Sequence, residues 1–554
     1  MDLLIKLKLL WLGFLETAGF KIAAQPPITS QRLTVRCLAA LGLGMLMRLS
    51  FMPISAWWIV WPVLLMSWRL IFAAANFWEA SSILSSWWLG LFSVTLLPWV
   101  SHSLMHYAYF SWWLAALAVV VLLAFLVTLI GWCGGLLWLA ARQCHHRWLF
   151  RSLMVLILLL METILARIGE CAWFNLAYTQ LGGVFIGLVP LIGSLGMTLV
   201  VLWHLVLSYE WFIWLPDNEA EVSAEEASRL HMIYMVFSLG ALLLSGVGWF
   251  YARHVTKPQN AAPLTIQVVQ QATRPDQKWQ SDWETLYLTV SGLESWLHNE
   301  QLCSQESLSE CLRPVIRPKT SRAAAKLLIW PEGAIAEIVR LSDDFWQQLS
   351  SELEYRNIGL ISGCLIANEE NNAVSNGLLG LGLAHGVYRK QRLLPFGEYV
   401  PGVQLLTERW QRYLARIIPF SNLTAGEAQG PSVTFTGSEV PLLIGTAICS
   451  ELGYQYLLSQ QLPEAQLLVT IGDDSWFSLS ASLGWLHLGV ARMRSLESGR
   501  YQVWANNSGP SAIIDPMGRV LKAPSGKSAI LEAKVYPLQH RYWHHRLTKF
   551  RWVP

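Results

Sequence analysis

At 554 residues the chain is too long for one ordinary domain, and 54% of it is hydrophobic while only 14% is charged. Soluble proteins are roughly a quarter charged, so much of this chain belongs in lipid, and thirty tryptophans agree, because Trp collects at membrane–water interfaces. A net charge of +3 without a basic stripe argues against nucleic acid as a partner; eight cysteines without CxxC or Cys/His spacing argue against a metal site, and no cofactor is called for.

From the N-terminus, residues 1–20 are apolar but broken by Lys6, Lys8 and Glu16, with no small-residue cleavage site close behind. That reads as an amphipathic lead-in helix rather than a removed signal peptide. Long apolar runs recur near 34–52, 55–75, 82–101, 112–132, 151–168, 184–207 and 232–252. Each approaches the ~20 residues that a membrane helix needs. The expectation is a polytopic α-helical membrane domain over 1–252 with about seven transmembrane helices. The run RQCHHR, with His145 and His146, reads as a solvated loop.

Lys and Arg set the orientation. Lys6, Lys8, Lys21, Arg32 and Arg36 precede the first span, and Arg142, Arg147 and Arg151 lie between the fourth and fifth. Both groups then face the cytoplasm. The 102–111 connection holds His102 and His106 but no Lys or Arg, as an outside loop should, while the acidic 208–230 connection leans weakly the other way. Everything after Ala252 is expected outside a bacterial inner membrane, in the periplasm.

Composition then shifts. Residues 253–263 read as a linker, and 264–540 alternates short apolar or β-branched runs with longer polar, helix-like stretches. LTIQVVQ (264–270), KLLIWP (326–331), NIGLISGCLIA (357–367), QLLVTIGD (466–473) and YQVWAN (501–506) are such runs, the pattern of an α/β domain. The closing segment, 541–554, is aromatic and basic, and either a lipid surface or solvent suits it. Cys303 and Cys311 would share an oxidising compartment and can pair there unless one helix holds both.

Three positions in the second half carry chemistry. Glu332 follows the run ending IWP, with Pro331 closing the strand. Lys390 opens a Pro/Gly-punctuated loop that holds Glu398 eight residues on. Cys449 ends the apolar run VPLLIGTAI, with Glu451 just beyond. Singly, these are a surface acid, a solvated cation and a packed core cysteine. Together they supply a base, a cation and a nucleophile.

On WPE at 330–332, KxxLLPFGEYVP from Lys390 to Pro401 and AICSE at 447–451, the sequence resembles the apolipoprotein N-acyltransferases, membrane-embedded relatives of the nitrilases, or carbon–nitrogen hydrolases. DDSWF (473–477), ARMRSLESGR (491–500), WANNSG (504–509) and IIDPMG (513–518) extend the match, and Trp279 stands where the family uses a tryptophan. The resemblance implies a nitrilase-like αββα sandwich with Glu332 as general base, Lys390 as oxyanion-side cation and Cys449 as nucleophile. It implies an acyl chain taken from phospholipid as a Cys449 thioester and passed to the N-terminal amine of a lipoprotein. Glu398 and Glu451 would support the site, and Trp279, Trp476 and Phe477 would line its entrance.

The chain departs from the family at Ser450, where a tyrosine is usual, and at Asp473, where an asparagine is usual; it also reaches Pro554 without a further membrane helix. These departures bear on the acceptor. The TraB proteins of conjugation systems resemble the same family, which keeps a pilin-like acceptor open. A membrane-tethered amidase and a non-catalytic assembly protein are the other readings of the same motifs.

Overall fold

The computed structural model describes residues 30–273 and 325–546, apart from 145, 168–171, 218–221, 258–261, 406, 418–422, 428–429, 463, 478–481, 523–527 and 541. The lead-in at 1–20, Trp279 and the Cys303–Cys311 pairing lie outside the described residues. The first half is helical: α1 (Ser30–Met47), α2 (Val60–Phe72), α3 (Phe77–Ser93), α4 (Leu96–His106), α5 (Trp112–Gln143), α6 (Arg147–Arg167), α7 (Val189–Tyr209) and α8 (Ala224–Val255). The seven apolar runs fall on helices, but 82–101 is divided between α3 and α4, and 55–75 holds only a shorter helix. Among the described residues five stretches, Arg32–Ser50, Trp112–Gln143, Arg147–Arg167, Ile186–Trp214 and Ala224–Val255, are long and apolar enough to cross a membrane. A sixth is added if α3 and α4, bent by 54°, form one broken span. The bend lies at Val94 and Thr95, where Pro98 has no N–H to offer the Val94 carbonyl.

Lipid gives helices no hydrophobic reason to associate, so close backbone contact has to hold them. A Cβ on Gly44 would lie 1.8 Å from the Trp87 carbonyl oxygen, and one on Gly90 would lie 2.0 Å from that of Leu41. α1 and α3 therefore cross backbone to backbone. Deeper in the bundle, Arg151 pairs with Glu210 at 2.7 Å, both buried, so neither charge faces lipid alone.

The second half runs β1 (Leu264–Gln270), β2 (Lys326–Ile329), β3 (Ile335–Val339), α9 (Asp344–Tyr355), β4 (Ile358–Ala367), β5 (Val374–Gly382), β6 (Ala384–Arg389), α10 (Glu408–Ile417), β7 (Val433–Phe435), β8 (Leu442–Ile448), α11 (Gln455–Ser459), β9 (Leu467–Gly472), α12 (Ser482–Ser498), β10 (Gln502–Asn506), β11 (Ala512–Ile514), β12 (Val520–Lys522) and β13 (Ala529–Val535). Hydrogen-bonded neighbours follow the order β12-β11-β10-β9-β8-β7-β6-β5-β4-β2-β1-β13, with β3 on β4 off that path. β8 and β9 pair in parallel, Ile444 opposite Leu467 and Ile448 opposite Ile471.

This long sheet doubles over. Ile266, Val268 and Ile329 from one half share a core with Val469, Ile471 and Val503 from the other. α9 covers one outer face, with Trp346, Leu349 and Leu353 at helical spacing against Leu328, Leu360 and Leu379. α12 covers the other, where Leu486, Val490 and Met493 meet Leu468, Trp504 and Ile514. The layers are helix, sheet, sheet, helix. Covered on both sides, β4 and β9 are buried along their whole length, which is why they read as continuous apolar runs.

The apolar cluster under α12 continues into the membrane helices through Met197, Val201 and Leu205 of α7, so the two halves share one core. Gly193 (φ +70°) interrupts α7, and the next amide, Ser194 N–H, donates to Glu497 of α12 at 2.6 Å. Arg494 donates to Tyr178 at 2.7 Å across the same seam. Tyr542, His544 and His545 at the start of the closing segment are buried there too, with His545 Nε2 2.8 Å from the Glu497 carbonyl.

Candidate active site

Three parallel-paired strands end at one place. β2 runs out through Trp330 and Pro331 to Glu332, β8 ends at Cys449 and β9 ends at Asp473. Lys390 is the first residue past β6. Ends of strands in such sheets form the crevice where ligands collect. Backbone geometry allows this approach only where a side chain is missing. A Cβ on Gly363 of β4 would lie 2.5 Å from the Glu332 Cα, so glycine there lets the Glu332 turn lie against the sheet.

Cys449 has φ +52°, in the left-handed region that a residue with a Cβ enters only under strain. It opens a tight helical turn, Cys449–Gly453, that lifts it off the end of the strand. Glu451 folds back to hold that turn. Its carboxylate accepts from the Ile448 N–H at 2.8 Å, from the Gln391 and Arg392 N–H groups at 2.7 and 3.0 Å, and from the Tyr388 hydroxyl at 2.9 Å. One buried side chain thus ties the Cys449 turn to the segment just after Lys390. Ser450, the departure from family habit, is buried in the same turn.

Lys390 is 1% exposed and pairs with Glu398 at 2.8 Å. Glu398 also accepts from the Leu394 N–H at 2.7 Å. Burial works against the Lys390 charge, but Glu398, Glu332 and Cys449 together outweigh it and hold the ammonium above its ordinary range. Burial pushes the Glu332 carboxyl up to about 7; Lys390 opposes that shift, and Glu398 and Asp473 add to it. Burial, then Glu332, also pushes the Cys449 thiol well above its usual range, against the pull of Lys390. The resting site is thus a neutral thiol beside a carboxyl poised near neutrality and a fixed cation. It can move a proton from sulfur to carboxylate and hold an oxyanion at the ammonium.

Trp476 stands against the membrane half: its ring meets Tyr107 edge-on at 4.9 Å, and its carbonyl accepts from the Ser103 hydroxyl. Phe477 packs half-buried on the shared core. Two features went unread in the sequence. Asn376, in the middle of β5, donates to both Glu332 and Glu398. Asp474 takes His487 Nδ1 at 2.8 Å and the Asn506 amide, with the His487 ring between Trp173 and Trp504. Asn376 has no local motif, and although Asp474 and Asn506 lie in the quoted runs DDSWF and WANNSG, nothing local pairs them with each other or with His487 of α12, because those contacts depend on elements brought together only by the fold. Among the described residues no group of three His, Cys, Asp or Glu is placed to hold a metal.

Residues 265–537 match the carbon-nitrogen hydrolase family profile, and residues 43–207 match the apolipoprotein N-acyltransferase N-terminal domain. An apolipoprotein N-acyltransferase of Azotobacter vinelandii is 30% identical over 527 residues, 91% of this chain and 89% of that one. The chain belongs to the apolipoprotein N-acyltransferase family. A member from Pseudomonas putida is 27% identical and covers 91% of both chains. Among solved structures, a CN-hydrolase superfamily protein from Xanthomonas campestris is 16% identical, with a TM-score of 0.32, covering 50% of this chain and 91% of that one. As a member of the apolipoprotein N-acyltransferases the chain is an acyltransferase with a carbon–nitrogen hydrolase domain, and its apolar helices make it a multi-pass membrane protein.

Proposed function

We propose that this protein moves a fatty acyl chain from a phospholipid to the N-terminal amine of a lipoprotein, with Cys449 as nucleophile, Glu332 as base and Lys390 as oxyanion partner. In the first half-reaction Glu332 takes the thiol proton and Cys449 Sγ attacks the ester carbonyl. The oxyanion forms beside Lys390. Collapse breaks the ester C–O bond, and the leaving lysophospholipid oxygen takes the proton back from Glu332. In the second, the acceptor amine attacks the thioester and gives its proton to Glu332; the C–S bond breaks and the thiolate is reprotonated. Glu398 and Glu451 hold Lys390 and the Cys449 turn, and Trp476 and Phe477 line the approach.

The observation that carries this is the convergence of Glu332, Lys390 and Cys449 at the strand ends of a sandwich sharing its core with membrane helices. Residues 1–252 serve as the membrane domain, 253–263 as the linker and 264–540 as the catalytic domain. Charge supports an extracytoplasmic catalytic domain on an inner membrane. Tyr107, just past α4, touches the catalytic domain, donating to the Ser475 carbonyl at 3.1 Å, so the near end of the bundle lies there. The far end gathers Arg32, Arg36, Arg69, Arg142, Arg147, Arg151 and Arg229, against Arg48, Arg167, Arg253 and Lys257 at the near end.

The test is intact mass of the purified protein after incubation with phospholipid. A fatty-acyl adduct on Cys449, lost in C449A and discharged by a diacylglyceryl-cysteine peptide, is the expected result. An unacylated, folded protein that hydrolyses short amides would move the assignment to an amidase, and full biological function in C449A would leave a non-catalytic role. Discharge to a pilin-like N-terminus instead would place the chain with the conjugal-transfer relatives.

A further inference from the structure

We infer that Asn376 is a positioning residue for acyl transfer: its single side-chain amide separates the Glu332 and Glu398 carboxylates, leaving one for the thiol and the other for Lys390. The inference rests on the Glu332–Lys390–Cys449 assignment above. Asn376 Nδ2 lies 2.7 Å from Glu332 Oε1 and 2.6 Å from Glu398 Oε1, so its two N–H bonds are aimed one at each carboxylate. The Asn376 carbonyl accepts from the Lys390 N–H at 2.8 Å. That bond is backbone to backbone, so one residue touches the base and the cation's partner through its side chain and the main chain of the residue that carries the cation.

Its backbone is fixed from both sides. β5 pairs with β4, Asn376 opposite Leu365, and with β6, Gly377 opposite Arg389. At 7% exposure the amide has little water to compete for it. Two buried carboxylates brought this close otherwise tend to share a proton, which would occupy the oxygen the thiol needs. An uncharged donor between them removes that need. Lys390, Glu398, Asp473 and Cys449 also face Glu332, and of these the cation is already engaged by Glu398.

The experiment follows Cys449 alkylation by iodoacetamide in the full-length protein in phospholipid-free detergent micelles, read by peptide mass mapping across pH. Both N376D, which replaces the donors with acceptors, and N376A, which only deletes them, are compared with the parent. The expected result is a midpoint raised by about one pH unit or more in either variant, equivalent to about a tenfold slower reaction at neutral pH. An unchanged midpoint, whatever the overall rate, overturns the inference, since a purely structural role lowers the rate at every pH alike. N376A keeps the test available if N376D does not fold. E332Q separates the two levels: if its midpoint equals the parent's, Glu332 is not the base, and the triad assignment fails rather than the role of Asn376.

Discussion

Burial raises both the Glu332 carboxyl, to about 7, and the Cys449 thiol, and that sets the pH behaviour. With Glu332 at about 7, the carboxyl cannot take the thiol proton at lower pH and can above it. Acylation of Cys449 should rise through about pH 7, and E332Q should lower its rate by roughly 100-fold or more, measured as adduct formation in single turnover. Stability should move the opposite way. A carboxyl whose pKa is raised by folding loses stability as pH climbs from the ordinary carboxylate range through the folded value. E332Q should therefore melt above the parent at about pH 8 and level with it at about pH 4. Glu398 differs, because removing its charge leaves the 1%-exposed Lys390 ammonium without its partner. E398Q should cost roughly 3 kcal/mol of stability by thermal unfolding.

Elements place these side chains to within a hydrogen bond. The turn at Cys449–Gly453 keeps its positive-φ cysteine because Glu451 satisfies the Ile448, Gln391 and Arg392 amides at once. E451A strands these buried donors and should cost about 2 kcal/mol or more, read by thermal unfolding. β4 contributes by omission: Gly363 leaves room for the Glu332 turn, and G363A would put a methyl 2.5 Å from the Glu332 Cα. That backbone cannot give way as a flexible side chain could. The expected outcome is a folded protein with parental circular dichroism and a large loss of acyl-thioester formation; parental activity would show that the Glu332 turn tolerates displacement.

Across the whole molecule, the membrane half and the sandwich meet through a polar seam within an apolar core. Glu497 accepts from the Ser194 amide, pairs with Arg494 and carries the buried His545 contact, while Arg494 reaches Tyr178. A cavity of about 20 Å³ beside this seam, lined by Glu162, Tyr178, Ser194, Gly453 and Arg494, has room for about one water. Because Gly453 closes the turn that Cys449 opens, the seam joins the helices to the candidate site as well as to the domain. E497A leaves buried Arg494 uncompensated and should lower stability by roughly 3 kcal/mol in detergent. Limited proteolysis should then cut between the halves, whereas an unchanged digestion pattern would show that apolar packing alone joins them.

Composition and motif order were enough to read the architecture. Apolar runs report lipid and doubly covered strands directly, since both demand continuous hydrophobicity; Glu332 and Cys449, which follow such runs, stand beside Pro or small-residue signals visible in one dimension, and Lys390 opens a Pro/Gly-punctuated loop. Asn376, the Asp474–His487–Asn506 cluster and the Tyr178–Arg494–Glu497 seam left no such mark. Asn376 sits in VSNGLLG, where nothing local separates it from a strand filler, and its partners lie 44 and 22 residues away. Hydrogen bonds between side chains depend on which strands become neighbours and in what register, and one residue of slip would turn the amide to the opposite face. Strand ends and the helical, apolar character of the first half were determined by the sequence alone; where a helix bends or falls short of a span, and which polar atom answers which, was decided only by the folded structure.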